Sequence, residues 1–133
     1  MDSTVDTLHN IQVELDKVDE LMMAQAEEYH PDLKKAVSVI LSSGGKRIRP
    51  RIILLIGNML NANQDLQVKL ATAIEMLHTA SLVHDDLIDG SLLRRGIPTL
   101  NSKWSPAATV LTGDFLFASA SDMASKTNSV EVM

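Results

Sequence analysis

The stretch from Asp65 to Asp89 constrains this chain more than any other part of it: no proline interrupts it, and Leu66, Leu70, Ala73, Leu77, Ala80 and His84 recur at steps of three and four. That spacing gathers side chains on one face of a helix, so the run predicts a single long helix. Upstream, Leu8, Ile11, Leu15, Val18, Met22 and Ala26 mark one face of a helix between Val5 and Glu28. Pro31 suits a first helical turn, where its missing N–H costs nothing, and Leu33, Val37, Ile40 and Leu41 continue at helical spacing until Gly44-Gly45. Ile52 to Leu60 reads as a buried helix closed by the turn Asn61-Ala62-Asn63. Gly90 to Pro106, with Gly96 and Pro98 inside it, reads as a mobile connection before a last helix from about Ala107 to Ala124. Aromatics reach only 3%, too few for the packed faces of a sheet. The expected fold is all-α, about five helices, and 133 residues suffice for one domain.

Charge and composition remove several function classes. A net charge of −5 disfavours a nucleic-acid partner, which calls for a basic surface. With no cysteine there is no disulfide framework and no thiolate site, which fits a reducing cytoplasm. No stretch approaches about 18 uncharged apolar residues, and the start, Met1-Asp2-Ser3-Thr4-Val5-Asp6, lacks a basic segment followed by an apolar one. A soluble, unprocessed cytoplasmic protein without stable membrane insertion is expected.

The chemistry gathers at the end of the long helix. In Asp85-Asp86-Leu87-Ile88-Asp89 a four-residue step turns about 40° around the axis, placing Asp85 and Asp89 on one face with Asp86 beside them. Two or three carboxylates converging at the negative end of a helix repel one another, at about 0.3–1 kcal/mol per charge. A bound cation would relieve that. Magnesium suits such a site, since one or two carboxylates hold it while phosphate and water complete its shell. The bland alternative is a solvated acidic helix end.

Basic residues flank this cluster. Arg94-Arg95 follows it, and Gly44-Gly45-Lys46-Arg47-Ile48-Arg49-Pro50-Arg51 precedes it as a glycine-opened basic segment at a helix start. Glycine permits close backbone approach, helix-start N–H groups favour anions, and arginine grips phosphate oxygens in a fork. The pattern describes a diphosphate grip, or alternatively an exposed basic patch; it is not a phosphate loop ending in Gly-Lys-Ser/Thr. His78, two turns before Asp85, is placed to donate to a phosphate or to sit satisfied in the core. His84 has no histidine at metal-ligand spacing and receives no catalytic role.

Taken together, Gly44-Gly45-Lys46-Arg47-Ile48-Arg49-Pro50, Leu77-His78-Thr79-Ala80-Ser81-Leu82-Val83-His84-Asp85-Asp86-Leu87-Ile88-Asp89, Arg94-Arg95-Gly96-Ile97-Pro98-Thr99 and Leu111-Thr112-Gly113-Asp114-Phe115-Leu116 resemble the trans-isoprenyl (polyprenyl) diphosphate synthase family. The resemblance implies magnesium-dependent head-to-tail condensation of isopentenyl diphosphate with an allylic prenyl diphosphate. By matching position, Asp85 and Asp89 would bind magnesium with Asp86 in support, and Arg94 would hold the allylic diphosphate. Gly45, Lys46, Arg49, His78 and Arg95 would hold isopentenyl diphosphate. In the family, a bulky aromatic four or five residues before the first aspartate closes the hydrocarbon tunnel. Here those positions are Ser81 and Ala80, so Leu77, about 12 Å before Asp85, is the first larger obstruction and a product longer than fifteen carbons is expected. The alternative is that Ala80 and Ser81 merely permit close helix packing.

Members of that family are much longer and carry a second aspartate-rich motif on a later helix; nothing after Asp114 supplies one. The expectation is therefore the N-terminal portion of a synthase domain, residues 1–133, forming part of a larger isoprenoid-synthase bundle and inactive alone. Its exposed apolar faces would be met in a homodimer or by a complementing chain. A noncatalytic or substrate-binding subunit of a heteromeric prenyl synthase is the alternative.

Overall fold

The computed structural model describes residues 2–27, 29–42 and 46–129. Six helices and one hairpin are present among them: α1 (Asp2–Ala24), α2 (Pro31–Ser42), α3 (Ile48–Met59), α4 (Gln64–Asp89), β1 (Leu93–Arg94), β2 (Ile97–Pro98), α5 (Leu100–Lys103) and α6 (Pro106–Ser125). The fold is all-α, as composition predicts. Two expectations need correction. The first helix ends at Ala24 rather than Glu28, and α3 begins at Ile48 rather than Ile52, taking Arg49 and Arg51 into its first turn. Pro50 is tolerated there because a first-turn N–H has no intrahelical partner.

α4 is the axis of the assembly, with α6 along one flank and α3 and α1 along the other. The expected stripe of α1 is the buried one: Ile11, Leu15, Val18 and Met22, with Ala26 in the turn that follows, are all 4% exposed or less. They join Leu54 of α3, Met76 and Ala80 of α4 and Leu116 of α6 in one core. Burial of these apolar side chains is the main favourable term holding the layers together. α4 is capped at both ends. The Asn63 side chain accepts from Leu66 N at 3.1 Å. Gly90, at φ 66°, turns the chain away immediately after Asp89, and Ser91 N donates to Asp86 O at 2.9 Å.

α4 and α6 come unusually close where Gly113 faces His84. A Cβ at Gly113 would collide with the His84 imidazole. That ring donates to Val110 O at 3.2 Å, lies 3.4 Å from Asp114 Oδ1 and packs against Phe117. His84 thus serves the packing of the two helices.

The connection after Gly90, read from sequence as mobile, is instead ordered as the hairpin and α5. Arg95 (φ 54°) and Gly96 (φ 77°) both occupy the left-handed region, which makes the two-residue turn whose twist suits an antiparallel pair. Leu93 opposes Pro98 and Arg94 opposes Ile97. Thr99 N donates to Leu92 O at 3.0 Å, so the ladder bonds fall on either side of Pro98 and its missing N–H is not needed. Thr99 Oγ1 and Asn101 Nδ2 both donate to Ser91 O, at 2.7 and 3.0 Å, and close the base of the hairpin. The count of about five helices falls short by the short α5.

Candidate active site

The end of α4, the start of α3 and the hairpin surround one cavity of about 100 Å³. Lys46, Arg49, His78, Arg94 and Arg95, singled out in the sequence as a diphosphate grip, all line it. Three separate segments bring them there: the turn into α3, the middle of α4, and the hairpin that folds back over α4. Gly45, the remaining member of the expected set, lies outside the described residues.

Asp86, expected beside Asp85 and Asp89 in support of that pair, lines the same cavity. One residue further along a helix is a rotation of about 100°, which carries Asp86 away from Asp85 and toward the returning hairpin. Its side chain is only 10% exposed and is gripped by Arg94. Arg94 Nε donates to Oδ1 and Oδ2 at 3.2 and 3.0 Å, and Nη2 donates to Oδ1 at 2.6 Å. The Asp86 hydrogen bond holds the Arg94 guanidinium above its ordinary basicity against the opposing effect of burial, with the charges of Asp86, Asp85 and Asp89 adding to it.

Asp85 and Asp89 are exposed, one turn apart on α4, and neither carboxylate has a hydrogen-bond or ion-pair partner among the described residues. Two unpaired, solvent-facing carboxylates fit a hard cation that takes part of its shell from water or phosphate. They do not make a closed site: among the described residues no three His, Asp or Glu side chains converge where a metal could sit.

His78 lies between the basic groups. Burial pushes its imidazole below the ordinary value of 6.5, the Arg49 charge pushes the same way, Glu75 opposes, and Arg94 and Arg95 lower it further. At pH 7 the ring is neutral and retains one N–H to donate.

The residues named for product length separate. Ala80 is fully buried in the core, where its small size serves packing. Ser81 is partly exposed and donates to Leu77 O at 3.2 Å. Leu77, 42% exposed, borders a second, largely apolar groove of about 150 Å³ between α4 and α6, with Leu70, Ala73, Ile74, Ala120, Ser121 and Ala124.

Sequence reasoning saw Arg47 only as one charge of the basic segment and missed its partner in the cavity, Glu75. Arg47 Nη1 donates to Glu75 Oε1 at 3.2 Å, and the two side chains are 13% and 7% exposed. The one available signal was that Glu75 stands three residues before His78, on the same side of α4.

Comparison with known proteins shows the family and the fold. The sequence profile of the polyprenyl synthetase family matches residues 30–133. A prenyl transferase of Synechocystis is 44% identical over 107 residues, which are 78% of this chain and 33% of the relative. Heptaprenyl diphosphate synthase component 2 of Geobacillus stearothermophilus is 46% identical over 100 residues, 75% of this chain and 31% of the relative. The chain thus spans about a third of the length of these curated relatives. Among solved structures, a polyprenyl synthase from Caulobacter crescentus, complexed with calcium and isoprenyl diphosphate, superposes with a TM-score of 0.86 at 34% identity, over 94% of this chain and 38% of that one. A decaprenyl diphosphate synthase from Rhodobacter capsulatus gives a TM-score of 0.87 at 31% identity, over 95% and 39%. The chain belongs to the polyprenyl synthetase family.

Proposed function

We propose that this chain forms the diphosphate-binding wall and the first metal-binding aspartate pair of a trans-polyprenyl diphosphate synthase. It joins isopentenyl diphosphate to an allylic diphosphate, head to tail, to give a product longer than fifteen carbons. The observation that carries the reading is the convergence of Lys46, Arg49, His78, Arg94 and Arg95 on one cavity beside two unpaired aspartates of the same helix.

In this reading Lys46, Arg49 and Arg95 hold the diphosphate of isopentenyl diphosphate, and neutral His78 donates its N–H to a phosphate oxygen. Asp85 and Asp89 would hold magnesium, which when bound would supply positive charge beside the diphosphate of the allylic substrate. Arg94, oriented by Asp86, faces the same developing charge. Preorganised donors aimed where charge grows act chiefly on the transition state. The isopentenyl double bond is the nucleophile, so the protein supplies orientation and exclusion of water and forms no covalent intermediate. The small Ser81 and the groove running past Leu77 leave room for a long hydrocarbon. The working protein is cytoplasmic and acts as a homodimer or with a complementing chain, a view supported by the exposed apolar stripe Ile48, Ile52, Leu55, Ile56 and Met59 on α3. No helix among the described residues is long and apolar enough to cross a membrane.

The alternative, a substrate-binding subunit of a heteromeric synthase, is favoured by one observation: a relative is named as a component of a heptaprenyl diphosphate synthase. Titration calorimetry with isopentenyl diphosphate and with a nonreactive allylic diphosphate, each with and without magnesium, tests both readings. Magnesium-dependent allylic binding that disappears in Asp85→Ala is expected. A folded chain that binds neither ligand would refute the assignment of the cavity.

A further inference from the structure

Arg47 lies in the middle of the basic segment, yet its side chain is spent on the protein. Its Nε donates to Asp19 Oδ1 on α1 at 3.1 Å, Nη1 to Glu75 Oε1 on α4 at 3.2 Å, and Nη2 to the Leu41 carbonyl of α2 at 3.4 Å. One guanidinium therefore ties three helices to the turn that opens a fourth. The backbone of Arg47 itself sits at φ 54° and ψ 42°, left-handed territory that non-glycine residues rarely adopt. Such a conformation persists only where surrounding contacts over-determine it. Here those contacts are the three side-chain anchors together with α3, where Arg51 Nε donates to Lys46 O at 2.8 Å and Arg51 N to Arg47 O at 3.1 Å.

The neighbours of this fixed point are the groups that matter. Lys46 immediately precedes Arg47 and Arg49 follows two residues later, and both line the cavity with His78. Both are exposed, and neither has a side-chain partner among the described residues to fix its direction, so the backbone at Arg47 sets where they start from. Glu75 completes the device from the other side. It is buried, Arg47 satisfies one of its oxygens, and the other, Oε2, has no hydrogen-bond partner among the described residues. A buried carboxylate in that condition depends on its cation, and that dependence holds Arg47 in place.

We propose that Arg47 is a positioning residue for diphosphate binding: clamped between Asp19, Leu41 and the buried Glu75, it fixes the left-handed turn that aims Lys46 and Arg49 into the cavity. It acts through those two residues and does not itself contact the ligand. The inference rests on the diphosphate reading of the cavity and extends it to a lining residue whose guanidinium is committed to the protein.

The test is a double-mutant cycle on the full chain, with isopentenyl diphosphate as the calorimetric probe and helicity and melting temperature recorded for every variant. Arg47→Lys keeps a cation beside Glu75 but cannot reproduce a three-way fork. It is expected to weaken binding at least tenfold in the otherwise unchanged chain and only about threefold in a Lys46→Ala background, where the share of the effect carried by Lys46 is gone and that carried by Arg49 remains. Equal losses in the two backgrounds would mean general support of the fold and would overturn the proposal, as would binding by Arg47→Lys within twofold of the unchanged chain. If Arg47→Lys does not fold, Arg47→Gln/Glu75→Gln takes its place in the cycle. That pair keeps the net charge of the cavity and removes the uncompensated carboxylate, and the same two outcomes decide. A folded, unchanged chain that binds no isopentenyl diphosphate would instead refute the diphosphate reading, and this inference with it.

Discussion

Replacing Asp86 by Asn separates two roles that a run of three aspartates in five residues makes look alike. Arg94 places three contacts on the Asp86 carboxylate, from Nε and Nη2. Asn keeps one oxygen acceptor, so the substitution removes the charge and about half of the fork. A hydrogen bond to a charged group contributes about 1.5–3 kcal/mol. Arg94 is 38% exposed, so solvent screening brings the expected loss toward about 1–1.5 kcal/mol. For a chain of this size 1 kcal/mol corresponds to about 4 °C, so the melting temperature should fall by about 4–6 °C. The assay is thermal unfolding followed by circular dichroism, paired with magnesium titrations of Asp86→Asn and Asp85→Asn. The expected result is a crossed pattern: Asp86→Asn unfolds earlier and still binds magnesium, whereas Asp85→Asn keeps its melting temperature and loses magnesium. If Asp86→Asn melted within 1 °C of the unchanged chain and lost magnesium as Asp85→Asn does, Asp86 would be a cation ligand and the Arg94 pairing would not be its role.

Gly113→Ala introduces a Cβ against the His84 ring where α6 packs on α4. Overpacking of about 1–3 kcal/mol outweighs the gain of about 1 kcal/mol in helix propensity, so denaturant unfolding should show net destabilisation, partly relieved in Gly113→Ala/His84→Ala; a stabilised Gly113→Ala would show the helices lie further apart. His78 gives a pH signature. Its folded-state pKa lies below the 6.5 of the unfolded chain, so between the two values the unfolded chain binds more protons. Its contribution to stability is therefore fully present above pH 6.5 and lost as pH falls through the folded pKa. His78→Gln should flatten the stability profile there, and an unchanged slope would exclude the ring.

Local patterns were legible in the sequence and convergences were not. The three-and-four spacing of Ile11, Leu15, Val18 and Met22 names the buried face of α1 because helical periodicity is a property of neighbouring residues alone. The basic residues around the cavity were readable as types, and the fold brings five of them together. The direction in which Asp86 points was not, since it depends on where Arg94 returns after a turn built on Arg95-Gly96, and an arginine at a left-handed position is not a familiar hairpin signal. The Arg47–Glu75 pair was hidden for the same reason: a contact across 28 residues leaves no period. Ala80 was readable in two ways, as open tunnel or as close helix packing, and its burial in the core fits the second.

The lock between His84 and Gly113 has a bearing on how the site can respond to its ligands. Asp85 follows His84 directly in the chain, so the aspartate-bearing end of α4 is anchored by the contact between His84 and Gly113 of α6. The two arginines on the opposite side belong to a two-residue hairpin, tied to α4 through the half-buried Arg94–Asp86 pair. The two sides are therefore held differently, by helix packing on the side of the aspartates and by one ion pair and a tight turn on the side of the guanidinium groups. Under the proposed function, a diphosphate would sit between an aspartate pair positioned by helix packing and arginines positioned by a turn.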